Sequence, residues 1–99
     1  MYGLIGRIKA VAGKRGELAA VLVQDGGMPG CLSYVVAEDP ADADALWVTE
    51  VWVDQGAHRA SLSLPAVQAA IAKGRPLIAG FDSRVETKVL GGIGLRGTP

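Results

Sequence analysis

Only one cysteine, Cys31, occurs in the 99 residues, so no internal disulfide can form and no thiolate cluster can bind a metal. That usage fits a reducing compartment, and a cytoplasmic location is expected. Histidine is as scarce: His58 stands alone, which leaves a metal site short of ligands. Neither sign of charge is in excess, since Lys plus Arg and Asp plus Glu each number 10. A basic stripe of the kind that binds a phosphate backbone is therefore missing. The two Trp, two Tyr and one Phe are not interleaved with arginines as a base-stacking platform requires, and nucleic acid is not an expected partner. No apolar run reaches the roughly 18 residues of a membrane span, and no charged leader precedes the first strand-like pattern, so no membrane association is expected.

What is present belongs to a compact chain: 49% hydrophobic and 20% charged residues. One domain is expected over residues 1–99, with a core of about 2–92 and a glycine-rich C-terminal tail. The stretch Ala45 to Pro65 organises the rest, because it joins the most strongly β-patterned run to the only histidine. Leu46, Val48, Glu50 and Trp52 share one face of that run under the period of two. A carboxylate thus sits beside an indole. Burying it without a partner is costly, so Glu50 is paired with a cation, near a sheet edge, or lining a wet pocket.

Taken in order, Tyr2 to Val11 alternates as a first strand, and Lys14 to Val23 follows with Leu18, Val21 and Leu22 at helical spacing. Asp25-Gly26-Gly27 and Pro29-Gly30 punctuate the chain before a second strand from Cys31 to Glu38. The third strand is Ala45 to Val53. Asp54 is placed as the N-cap of a short helix through Leu62, and Ser63 as the cap of a second, with Pro65 in its first turn and Gly74 at its end. A short apolar turn from Leu77 to Gly80 precedes a fourth strand from Phe81 to Leu90. That strand sets Phe81, Ser83, Val85 and Thr87 against Asp82, Arg84, Glu86 and Lys88. The order β, α, β, β, α, β is the ferredoxin-like α+β arrangement, an antiparallel four-stranded sheet with its helices on one face. The other face lacks a cover, and a second copy of the chain is the simplest one, so a homodimer is expected.

Certain residues carry a likeness to a known family: Gly13-Lys14, Pro29-Gly30-Cys31, Thr49-Glu50-Val51-Trp52 with Asp54 two residues on, Leu64-Pro65, and Arg75-Pro76-Leu77. In this order and spacing the chain resembles the antibiotic biosynthesis monooxygenases over about residues 2–92. The resemblance implies a dimeric α+β barrel and oxidation of a small aromatic substrate by O₂ without metal or flavin. It departs at one position. The family commonly carries a histidine nine residues after the tryptophan, and here that residue is Ser61, with His58 three residues earlier.

Oxygenation without a cofactor needs an electron-rich substrate such as a quinol or anthrone, a dry pocket, a base, and donors where charge accumulates on the substrate oxygen. His58 and Trp52 are the catalytic candidates: an imidazole changes charge near neutrality, and an indole supplies a wall with an N–H donor. Tyr34, Glu50, Ser61 and Arg84 are the substrate-binding candidates, Arg84 for an anionic oxygen. Simpler roles stand beside these. Trp52 can be core, His58 a solvated helix residue, Tyr34 a sheet residue, and Arg84 a partner of Glu86. Gly91-Gly92-Ile93-Gly94 has no helix after it to supply the N–H groups of a phosphate site. Two other functions stay open: a non-catalytic, stress-associated or ligand-binding barrel, and an isomerase in which Glu50 or His58 moves a proton.

Overall fold

A computed structural model describes residues 1–23 and 27–95. The Asp25-Gly26 step and the end of the tail, Arg96 to Pro99, lie outside the described residues. The elements are β1 (Tyr2–Ala10), α1 (Arg15–Leu22), β2 (Cys31–Glu38), β3 (Ala45–Trp52), α2 (Gln55–Ser61), α3 (Pro65–Gly74), a 3-10 turn (Arg75–Leu77) and β4 (Ile78–Lys88). The four strands form one antiparallel sheet in the order β2-β3-β1-β4. This is the ferredoxin-like α+β fold, with the second helical segment divided in two. Among the described residues no helix is long and apolar enough to cross a membrane.

The alternation in β1 decides the sheet's two faces. Leu4, Ile8 and Ala10 are buried on the helix side, where Ile8 and Ala10 cluster with Leu46 and Val48 of β3. Leu18 of α1 is fully buried against them. Gly74 of α3 packs beside α1, where a Cβ would make ordinary contacts at 3.5 Å from Leu18 and 3.7 Å from Val21. Burial of Leu18 and Leu46 contributes roughly 1.5–3 kcal/mol each.

The opposite face carries Ile5 and Arg7 of β1, Trp47 and Thr49 of β3, Val35 of β2 and Val85 of β4, with Val35 and Val85 about half exposed. Arg7 binds the carboxylates of Asp39 and Asp42 at 3.1 Å each and also that of Asp82. The indole N–H of Trp47 donates to Asp39 at 3.0 Å. Lys9 pairs with Asp42, and Arg15 donates to the backbone carbonyls of Asp39 and Asp42. One polar network thus ties the β2–β3 loop to β1, β3, β4 and α1.

Two sequence expectations need correction. Asp54 caps α2, its carboxylate accepting from the Ala57 N–H at 2.7 Å. Ser63, however, does not cap α3: the N-cap is Leu64, with no side-chain hydrogen bond. Pro65 already supplies a first residue that has no N–H to satisfy, and the Ser63 N–H is used on Ala60 O at 3.1 Å. The second correction concerns β4, which begins at Ile78 rather than Phe81 and ends at Lys88. A register shift between Arg7 and Ile8 of β1 places Asp82 as an extra residue between Ser83, opposite Arg7, and Phe81, opposite Ile8. The strict alternation read from the sequence therefore breaks, and Phe81 joins the helix-side face.

Candidate functional site

Between the helix side of the sheet and helices α2 and α3 lies a cavity of about 620 Å³. Its walls are mostly apolar: Leu4, Ile8 and Val48 from the sheet, Val67, Ala70 and Ile71 from α3. Val67, Ala70 and Ile71, which share one side of α3, thus face open space instead of a filled core. Small residues explain the gap, because Gly6, Ala70, Gly74 and Gly80 leave it unfilled. Leu62, Ile71 and Phe81 line it while remaining exposed, which puts them at its mouth.

The polar end is built on β3. Glu50 and Trp52 point to the same side, and the Trp52 indole N–H donates to Glu50 Oε1 at 3.1 Å. Trp52 is 1% exposed, the largest fully buried side chain among the described residues. Tyr34 lies directly across from Glu50 on β2, and Leu4 on β1. From α2, His58 brings Nε2 to 3.9 Å from Glu50 Oε1. Its ring meets Trp52 edge-on at 5.4 Å between centroids and Tyr2 at 5.6 Å. Gly30 sets how closely α2 approaches. At φ +80° it accepts the Val53 N–H at 2.9 Å, and a Cβ there would come within 2.7 Å of Ala57 Cβ.

Electrostatics follow from this burial. Withdrawal from water raises the Glu50 carboxyl above its usual range, opposed by the Trp52 N–H and by the positive charges of His58 and Arg84. Tyr34 is pushed up to about 12, first by burial and then by the Glu50 charge and Cys31. The Tyr2 phenol is raised by burial and by Glu86, to which it donates at 2.9 Å.

Every residue singled out in the sequence lines this cavity: Tyr34, Glu50, Trp52, His58, Ser61 and Arg84. They are not equally available. Glu50 takes the Trp52 N–H, so that donor faces a carboxylate and not the open space. His58 is 15% exposed and packed between rings, not a solvated helix residue. Ser61 is 4% exposed and its hydroxyl donates to the His58 carbonyl at 2.6 Å. Arg84 is 58% exposed at the rim, 3.9 Å from Glu86. Tyr2, whose ring meets His58 without lining the cavity, and Phe81, at the cavity mouth, were missed. The antiparallel pairing Tyr2 with Trp52 would have revealed the first, whereas the β4 bulge hides the second. Among the described residues no group of three or more His, Cys, Asp or Glu is arranged to bind a metal.

Comparison with known proteins agrees with this architecture. The model of the antibiotic biosynthesis monooxygenase family matches residues 1–73. A candidate antibiotic biosynthesis monooxygenase from Chloroflexus aurantiacus J-10-fl is 59% identical, covers 95% of this chain and 97% of its own, and superposes with a TM-score of 0.92. A second, from Deinococcus radiodurans, is 27% identical, with 98% and 100% covered and a TM-score of 0.76. SnoaB from Streptomyces nogalater, a cofactor-independent oxygenase, shares the fold at 14% identity and TM-score 0.66, with 93% and 95% covered. Among curated proteins none matches in sequence. The chain belongs to the antibiotic biosynthesis monooxygenase family.

Proposed function

We propose that this protein is a cytoplasmic, homodimeric monooxygenase that oxidises an electron-rich aromatic compound such as a quinol or anthrone with O₂, using neither metal nor flavin. The observation that carries this reading is the apolar cavity of about 620 Å³ closed at one end by Glu50, Trp52, His58 and Tyr34. In net terms a ring C–H position gains one oxygen atom and the other leaves as water, with two electrons and two protons supplied by the substrate. The residues serve that balance. A base from the Glu50 and His58 pair removes the first proton, so that electron density on the substrate rises enough for O₂ to accept it. Tyr34 donates to the oxygen on which charge collects. The Trp52 ring forms a wall and its N–H holds Glu50, the Ser61 turn shapes the cavity floor, and Arg84 attracts an anionic oxygen at the rim. The fold shared with a cofactor-independent oxygenase supports the reading.

The homodimer reading rests on the open sheet face, where Ile5, Val35 and Val85 lie uncovered among polar groups; a second copy would bury them. Oxygen uptake by chelator-treated protein tests the activity, with a panel of anthrones and naphthoquinols and with Trp52→Phe and His58→Ala beside the wild type. Turnover that survives metal removal and falls in either variant is expected. Uptake no faster than the substrates' own autoxidation would sink the reading. One observation favours a second reading, isomerisation through an enediol: two proton-exchanging groups, Glu50 and His58, stand 3.9 Å apart in the same cavity. Exchange of substrate protons with solvent, without O₂ consumption, identifies that case.

A further inference from the structure

Glu50 presents two oxygens in different circumstances. Oε1 accepts the Trp52 N–H and is the oxygen nearest His58 Nε2. Oε2 accepts no hydrogen bond among the described residues, on a side chain 15% exposed that lines the cavity. The carboxylate stands on β3, a central strand paired on both sides, whereas His58 rides on a seven-residue helix and turns Nε2 toward Glu50. We infer that Glu50 Oε2 is the atom that receives the hydroxyl proton of the substrate, and that the cavity therefore selects neutral hydroxylated aromatics over their ethers and over anions. This assignment rests on the proposed oxygenation for its chemical consequence but not for its binding consequence.

The step balances simply. The substrate O–H bond breaks, its electron pair stays on the substrate oxygen as a phenolate, and the proton resides on Oε2. A carboxylate in water is too weak a base for a phenol, but burial raises Glu50, and the groups facing it are few: the Trp52 N–H on its own strand, Tyr34 from β2, His58 from α2 and Arg84 from β4. Once the proton has moved, the negative charge has left Glu50 for the substrate, where the Tyr34 hydroxyl, the His58 ring and the Arg84 guanidinium can attend it. An ether has no proton to give and leaves Oε2 unsatisfied. An anion meets the carboxylate charge directly. Both are discriminated against for reasons that do not involve O₂.

The test is calorimetric titration of 2-naphthol and 2-methoxynaphthalene into the wild-type protein, Glu50→Gln and His58→Gln, at a pH where naphthol is neutral. Wild type should bind naphthol about tenfold or more tightly than the ether, as a hydrogen bond to a charged acceptor provides. In Glu50→Gln the preference should shrink to about threefold or less, since a neutral amide oxygen accepts more weakly. Equal binding of the two compounds by wild type, or binding of neither, overturns the inference. So does a preference kept in Glu50→Gln but lost in His58→Gln, which moves the acceptor to His58. Oxygen uptake separates the two levels of the argument. If naphthol is preferred yet no quinol or anthrone is oxidised, Glu50 stands as the acceptor and the oxygenase reading falls.

Discussion

Replacing Trp52 by Phe removes two things that the structure keeps distinct: buried volume in the cavity wall, and the N–H that serves a buried carboxylate. The ring is 1% exposed, so little of the lost volume can be recovered by water. The difference between the two side chains is about 40 Å³, which at about 24 cal/mol per Å³ of unfilled cavity costs about 1 kcal/mol. Loss of a hydrogen bond to a charged acceptor adds about 1.5–3 kcal/mol, giving about 2.5–4 kcal/mol at neutral pH. Urea denaturation followed by circular dichroism measures this. The pH dependence separates the parts. Burial already places the folded-state pKa of Glu50 above its unfolded value. Such a group contributes stability that is present below the unfolded carboxyl pKa and lost as pH rises through the folded one. Without the indole N–H, the folded-state pKa moves further up and the loss at neutral pH deepens. The gap between variant and wild type should therefore narrow toward the 1 kcal/mol volume cost as pH falls from 7.5 to 3.5, because protonated Glu50 no longer needs the donor. A gap that stays constant across that range would refute the claim that the N–H supports an ionised Glu50, and a gap below about 1 kcal/mol at neutral pH would refute the burial argument itself.

Three other outcomes follow from separate parts of the molecule. Gly30→Ala puts a Cβ within 2.7 Å of Ala57 at φ +80°, so it should cost about 1–3 kcal/mol and shift α2 outward, seen as a change in tryptophan fluorescence as His58 withdraws from Trp52; unchanged stability would deny the close approach. Asp42 is held down to about 2, chiefly by Lys9, then by the Asp44 N–H and Arg7. Its contribution is present above the unfolded carboxyl pKa and lost as pH falls toward 2, so Asp42→Asn should flatten the acid limb of the wild-type stability curve, and an unaltered limb contradicts the pairing. Val35→Lys with Val85→Lys should convert the proposed homodimer to monomer in sedimentation analysis, and a wild type already monomeric at working concentration removes the proposed interface.

The first three strands, the order of the elements and the division of β1 into two faces were legible because period-two alternation is a local signal that tertiary packing here obeys: Leu4, Ile8 and Ala10 are buried where Tyr2 to Ala10 alternates, although alternation alone does not say which face the helices cover. Asp54 was legible for a similar reason, since its cap is made within three residues. Phe81 was not. A single extra residue at Asp82 reverses its face, and a bulge is decided by the partner strand and by Arg7 reaching across to the Asp82 carboxylate. Nor could spacing show that the Val67, Ala70 and Ile71 stripe borders a cavity, because periodicity marks which side of a helix is apolar and says nothing of what stands opposite. Glu50 beside Trp52 was visible as an oddity in the strand. Its consequence needed the third dimension, where His58 arrives from another element.

The two tryptophans of β3 allow a comparison inside one strand. Trp47 donates its N–H to Asp39 at 3.0 Å on the open face, and Trp52 donates to Glu50 at 3.1 Å on the cavity face, so each carboxylate has the same indole partner. Their fates differ. Asp39 is held below the usual carboxylate range by the Ala41 backbone N–H, the Trp47 N–H and the Arg7 guanidinium, whereas burial lifts Glu50 above it. An indole N–H is therefore not enough to keep a desolvated carboxylate comfortable; the guanidinium at 3.1 Å and the backbone donor make the difference, and among the described residues the cavity face supplies neither within hydrogen-bonding reach of Glu50. A chain that needed only a stable strand could have placed an Arg opposite Glu50 as it placed Arg7 opposite Trp47. Instead Leu4 and Tyr34 flank it, and the nearest cation-forming group is a histidine at 3.9 Å. The carboxylate is thus left half-compensated at the wall of the cavity, at a cost in stability that the salt-bridged network on the other face of the same strand does not incur.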